Sequence, residues 1–184
     1  MAPTPSARYD GLAIALHWLL ALMLIAMFGV GVYMVDLPVS PQRLKLYNWH
    51  KWAGITVLAL SLVRLLWRLA RPAPPLPASV LQAMPGWQRQ AHQGTHVLMY
   101  LLFFAVPLAG WAYSSAAGFP VVWFGRIALP DFVPVSKTLA DALQIGHRVL
   151  AMSLALLVLA HVAAALKHHW VDRDGLLARM LPGR

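Results

Sequence analysis

The sequence predicts an all-α membrane protein, a bundle of four transmembrane helices with both termini in the cytoplasm. Three observations carry that expectation. Apolar residues make up 60% of the 184 residues and charged residues only 11%, with a mean hydropathy of +0.63; a soluble domain carries roughly 25% charged residues. Four apolar runs are each long enough to cross a hydrocarbon core about 30 Å thick, which takes about 20 helical residues. The cations flank these runs, so the net charge of +9 points to anionic lipid and topology and argues against nucleic acid as a partner. One domain, 1–184, accounts for the chain, with no internal repeat.

The first span covers about Leu12–Val35. It is long for the apolar part of a signal peptide and lacks a small-x-small cleavage site, so it is expected to remain as a helix. The polar stretch DLPVSPQRLKLYN follows, and its prolines are expected to stop any continuous helix. The second span is about Trp49–Ala70; the proline-rich RPAPPLPASVLQAMPGWQRQ after it has no apolar period and reads as a loop. The third is about Gly94–Ser115, where Pro107 predicts a kink that neighbouring helices can accommodate. A longer loop, 116–135, precedes the fourth, which starts near Ser136 as N-cap and runs to about His169. On one side lie Arg8, Arg64, Arg68, Arg71, Arg89, Lys167, Arg173, Arg179 and Arg184; on the other, Arg43, Lys45, Lys51, Arg126, Lys137 and Arg148. The positive-inside rule assigns the richer side, with both termini, to the cytoplasm.

The chain has no cysteine. That excludes disulfides, thiolate-held iron–sulfur clusters, a covalently attached haem and cysteine-based catalysis. A metal or haem must then be held by histidine, with methionine as the other candidate. His147 and His161 stand fourteen residues apart in an apolar run. On a helix that is a rise of roughly 21 Å, close to four whole turns, so both side chains leave nearly the same face. One imidazole lies toward each membrane surface, as two stacked haems require. His17 lies near the inner end of the first span, at the depth of His161, and His50 begins the second span at the depth of His147. The four histidines thus form two level pairs, and bis-histidine ligation, which leaves no open iron position, suits electron transfer. Any one of them could instead be an interfacial anchor or an interhelical hydrogen-bond partner; four matched by depth favour function, because ionisable groups at membrane depth are costly. Four residues after each stand Ala21, Gly54, Ala151 and Ala165, all small enough to admit a flat macrocycle.

His92 and His96 share a face near the inner start of the third span and compete for the ligand role. They fit better as donors to inner haem propionates or as part of a quinone site, since using either as ligand would break a level pair. His168 and His169, at the inner end of the fourth span, complement the helix dipole or handle protons. Arg64, fourteen residues after His50, shares that helix face at the inner depth and could pair with a propionate or snorkel. Lys51 and Arg148 directly follow proposed outer ligands and could pair with outer propionates. Arg43, Lys45, Arg126 and Lys137 could add to them in steering a small anion to the outer face, or form an ordinary solvated surface.

ALHWLLALML at 15–24, WHKWAG at 49–54, LVRLLWRLARPAPP at 62–75, AHQGTHVLMYLLFFAVPLAGW at 91–111 and the H-x13-H pair followed by HVAAALKHHWVDRDGLLARMLP, at 147–182, together resemble the prokaryotic cytochrome b561 family. The resemblance covers nearly the whole chain. It implies a four-helix bundle with two non-covalent b haems ligated by His17, His50, His147 and His161, and electron exchange with ubiquinone in a bacterial inner membrane. Some members of the family resemble superoxide:ubiquinone oxidoreductases; others serve periplasmic redox partners. The expected function is therefore electron transfer between an outer-face donor, a small molecule or a protein, and the quinone pool. A haem-bearing anchor subunit of a larger oxidoreductase is the alternative, and a histidine-lined metal transporter a distant one, disfavoured because the histidines pair by depth instead of lining one path. Membrane lipid is a partner in every case, and a homodimer is left open.

Overall fold

The computed structural model describes residues 8–183. Arg184, counted above among the inner cations, lies outside the described residues. The first helix, α1 (Gly11–Val35), starts where Asp10 accepts the Ala13 amide at 3.0 Å, which satisfies one of the donors a helix start leaves unpaired. The same carboxylate accepts Trp67 Nε1–H at 3.0 and 3.1 Å and so ties the start of α1 to the end of the next helix. These donors, the Ala13 amide foremost, hold the Asp10 carboxyl below the usual carboxylate range.

The second helix, α2 (Pro41–Ala70), starts at Pro41, not near Trp49, which corrects the expected boundary. Ser40 Oγ accepts the Arg43 amide at 3.2 Å and Pro41 occupies the first turn, where its missing N–H costs nothing. Proline here begins a helix; it does not stop one. The proline-rich connection holds a short helix, α3 (Ala78–Ala83), and α4 (Gly86–Ala116) begins well ahead of Gly94. Arg89 steadies this connection by donating to the Met84 and Leu81 carbonyls. The fourth long helix, α5 (Lys137–Lys167), is capped by Ser136, whose Oγ accepts the Leu139 amide at 3.3 Å. It widens into a π-helical turn, His168–Asp172, and ends at Arg173 with φ of 53°. The loop expected at 116–135 carries a small antiparallel ribbon, β1 (Val122–Trp123) with β2 (Ile127–Ala128). It is pinned to α2 by Trp123 Nε1–H, which donates to Thr56 Oγ1 at 3.2 Å.

Among the described residues, α1, α2, α4 and α5 are long and apolar enough to cross a membrane. The protein is a helical membrane bundle in which α4 packs on α5 and α1 on α2, with α2 also meeting α4. Met99, Leu102, Phe103 and Leu154 form its buried centre, while leucines such as Leu22, Leu66, Leu101 and Leu156 point outward, as helices solvated by lipid do. Both described ends meet at one end of the bundle. Arg8 donates to the carbonyls of Leu181 (2.5 Å) and Gly183 (3.0 Å), and Trp18 to that of Met180 at 2.7 Å. Buried Arg179 donates to the carbonyls of Pro74 and Pro75 at 2.8 and 2.9 Å.

Candidate metal centre

Two levels of histidine occupy the space between the helices. Far from the termini, His50 of α2 and His147 of α5 face each other with ring centroids 6.2 Å apart. Nearer the termini, His17 of α1 and His161 of α5 have centroids 6.3 Å apart. Metal–imidazole bonds are about 2 Å long, and the bonded nitrogen is about 1 Å from its ring centre. Two imidazoles on opposite sides of one metal therefore have centroids roughly 6 Å apart, so both separations fit that arrangement. All four rings are partly buried.

A cavity of about 840 Å³ adjoins the His50–His147 level and is lined by both histidines, Gly54, Gly110, Ala151 and apolar side chains such as Phe103. Two of the small residues flagged four positions after a histidine, Gly54 and Ala151, thus face it. His50 Nδ1 is buried without a hydrogen-bond partner among the described residues. The His147 ring packs so close to Gly110 that a Cβ there would lie 3.0 Å from its Cε1, and one at Gly31 would lie 3.2 Å from Cε1 of His50. Facing imidazoles, glycine-cleared helix faces and an apolar cavity fit a flat, metal-bearing macrocycle.

At the other level the structure gathers more than the expected pair. The His96 ring lies 5.5 Å from that of His161 and 4.6 Å from that of His92. His96 Nδ1 lies 2.7 Å from the His92 carbonyl oxygen, which can only accept, so Nδ1 is the donor in this contact. Arg64 lies beside His17, its Nη2 3.3 Å from Nδ1 of that ring, and donates from Nη1 to the Ala13 carbonyl at 3.1 Å.

The remaining cations divide. Lys51 Nζ donates to the carbonyls of Phe119 (3.3 Å) and Pro120 (3.2 Å), fastening the ribbon-bearing loop to α2. Arg43 lines the cavity and stacks on Tyr47 at 5.5 Å, and Lys45 lies over Trp49 at 5.4 Å. Lys137 is paired with Asp141 at 2.7 Å. Arg126 and Arg148 are exposed. A grouping the sequence reading did not assemble lies at the terminal end, where His168 Nδ1 is 2.5 Å from Asp174 Oδ2 and 3.0 Å from Asp172 Oδ2. His168 and Asp172 stand four residues apart, as neighbours on a helix face do, whereas Asp174 lies beyond the end of the π-helical turn, outside any helix period.

Long apolar helices presenting paired imidazoles at two levels, in a chain without thiols, define a class: membrane electron-transfer proteins that hold haem non-covalently. Within that class the chain belongs to the prokaryotic cytochrome b561 family, whose model matches residues 8–183. Haem b is the cofactor of this family. The chain is 35% identical over 176 residues to cytochrome b561 homolog 2 of Escherichia coli (strain K12), covering 95% of this chain and 91% of that protein. It is 35% identical over 176 residues to the probable superoxide oxidase CybB of Yersinia pestis (95% and 96% covered). Cytochrome b561 homolog 1 of Escherichia coli (strain K12) is 30% identical over 178 residues (96% and 98%).

Proposed function

We propose that this chain is a single-domain, dihaem b cytochrome of a bacterial inner membrane, carrying electrons from a donor at the outer face to ubiquinone. The observation that carries this reading is the pair of level imidazole couples, 6.2 and 6.3 Å between ring centroids. His17 and His161 would hold the inner haem, His50 and His147 the outer. Haem b supplies reversible one-electron transfer. The helices contribute ligands, orientation and a low-dielectric insulator. Both termini lie on the cytoplasmic side, in keeping with the nine-to-six cation count.

Superoxide is the donor this reading favours, because a relative similar over nearly its whole length carries that name. Two superoxide anions oxidised to O₂ release two electrons, which with two protons convert one quinone to quinol. Exposed Arg126 and Arg148, with Arg43 at the cavity, supply positive potential that draws a small anion to the outer level. Lys51, occupied by loop carbonyls, contributes charge without needing to touch the anion. His92 and His96, exposed beside His161, are the polar groups suited to a quinone head or an inner propionate. Purified, haem-replete protein in ubiquinone-containing vesicles should reduce the quinone when superoxide is generated outside. Superoxide consumption at the spontaneous rate, with no quinol formed, would remove superoxide as the donor.

A further inference from the structure

His147 Nδ1 lies 2.9 Å from the carbonyl oxygen of Val106 on α4. A carbonyl can only accept, so Nδ1 carries the ring proton and Nε2 keeps its lone pair for a metal. Pro107, which follows Val106, lacks the N–H that would bond to the Phe103 carbonyl one turn back. Gly110, one turn on, provides the room. A Cβ at Gly110 would lie 3.0 Å from Cε1 and 3.1 Å from Nδ1 of His147, whereas one at Gly29 meets nothing within 4 Å. His50, across the same level, has no partner for its Nδ1 among the described residues. The two rings are therefore unequal donors.

We propose that the Val106 carbonyl and Gly110 form a seat that fixes the tautomer and rotation of His147, with Gly110 a positioning residue for the potential of the outer haem. This rests on the dihaem reading above. A carbonyl accepting the Nδ1 proton makes an imidazole a stronger donor through Nε2 and favours oxidised iron. A methyl group at position 110 displaces the ring, breaks that bond and weakens donation, so the outer potential rises. The inner haem, held by helix positions remote from this seat, keeps its potential. No sequence periodicity marks the seat, because it depends on which helix lies opposite His147.

The test is a potentiometric titration, read by optical and electron paramagnetic resonance spectra, of the full-length protein and its Gly110→Ala and Gly29→Ala variants. The outer haem is identified as the one lost in His50→Ala. The expected result for Gly110→Ala is two bound haems, an upward shift of the outer potential and altered g-values for that haem alone, with Gly29→Ala unchanged. Potentials and g-values of Gly110→Ala that superimpose on those of the unaltered protein would overturn the proposal. Should Gly110→Ala not fold, ¹⁵N-histidine spectra of the reduced, diamagnetic unaltered protein decide. The Nδ1–H of His147 should resonate further downfield and exchange with water more slowly than that of His50, whose Nδ1 has no partner among the described residues; matching shifts and exchange rates for the two would overturn the seat. An unaltered protein lacking the outer haem would instead sink the dihaem reading itself.

Discussion

Arg64 reaches from α2 to α1, where its Nη2 lies 3.3 Å from Nδ1 of His17 and its Nη1 3.1 Å from the Ala13 carbonyl oxygen. Neither partner is anionic, so among the described residues these contacts leave the guanidinium charge uncancelled beside the inner histidines. A unit charge about 10 Å from a redox centre, at an effective dielectric of about 20, is worth on the order of 1–2 kcal/mol. A positive charge favours the reduced haem. Arg64→Gln should therefore lower the inner potential by about one tenfold step in the one-electron equilibrium, roughly 59 mV, and Arg64→Lys by much less. Redox titration of the two variants checks this; an inner potential that rises or stays fixed in Arg64→Gln would count against the placement.

Ligand substitution separates the two levels. His17→Ala and His161→Ala should each lose or misligate one haem, and His50→Ala and His147→Ala the other, visible as a halved haem-to-protein ratio or a high-spin spectrum. His92→Ala and His96→Ala should keep both haems. The His96 case is the sharper, because its ring lies closer to that of His161 than the His17 ring does (5.5 against 6.3 Å). Loss of a haem in His96→Ala with retention in His17→Ala would reassign the inner ligand.

Charge at the outer face should show in rate before affinity. Steering of a small anion weakens as salt shortens the Debye length from about 10 Å at 0.1 M to about 3 Å at 1 M. The second-order rate with superoxide should fall over that range. Arg126→Gln and Arg148→Gln should slow it at low salt, whereas Lys137→Gln should change it little, since Lys137 is paired with Asp141 at 2.7 Å. Stopped-flow measurement at several ionic strengths distinguishes them, and a rate independent of salt would remove steering.

Asp10 offers a test of the fold. Its carboxylate caps α1 and holds Trp67 of α2, and losing such a cap costs about 0.5–2 kcal/mol. Its folded pKa is lowered, chiefly by the Ala13 amide. The stabilisation is thus complete above the ordinary carboxylate pKa of about 3.9 and is lost as pH falls through the folded value. Asp10→Ala should lower the thermal midpoint in detergent at pH 7, and the gap should close in strong acid. A gap that persists there would show that the charged carboxylate is not what stabilises.

The sequence carried the four spans because apolar length in lipid is a strong, local signal. It carried the level grouping of the histidines because helical rise is fixed: fourteen residues separate His147 from His161, and likewise His50 from Arg64. It misplaced the starts of α2 and α4. Hydropathy marks where a helix meets lipid and is blind to the polar turns, PQRLKLYN and GWQRQAHQ, that continue it into water. Lateral contacts were beyond it altogether. The Val106 carbonyl under His147, the His96 ring against His161 and the Lys51 bonds to the Phe119 loop depend on which helices are neighbours, and no periodicity within one helix encodes that.

Two bis-histidine haems in one chain would show at once in a haem-to-protein ratio taken with a reduced-minus-oxidised spectrum. Purified protein should bind two b haems per chain, both low-spin and both reducible. One haem per chain, or a colourless protein, would contradict the dihaem reading.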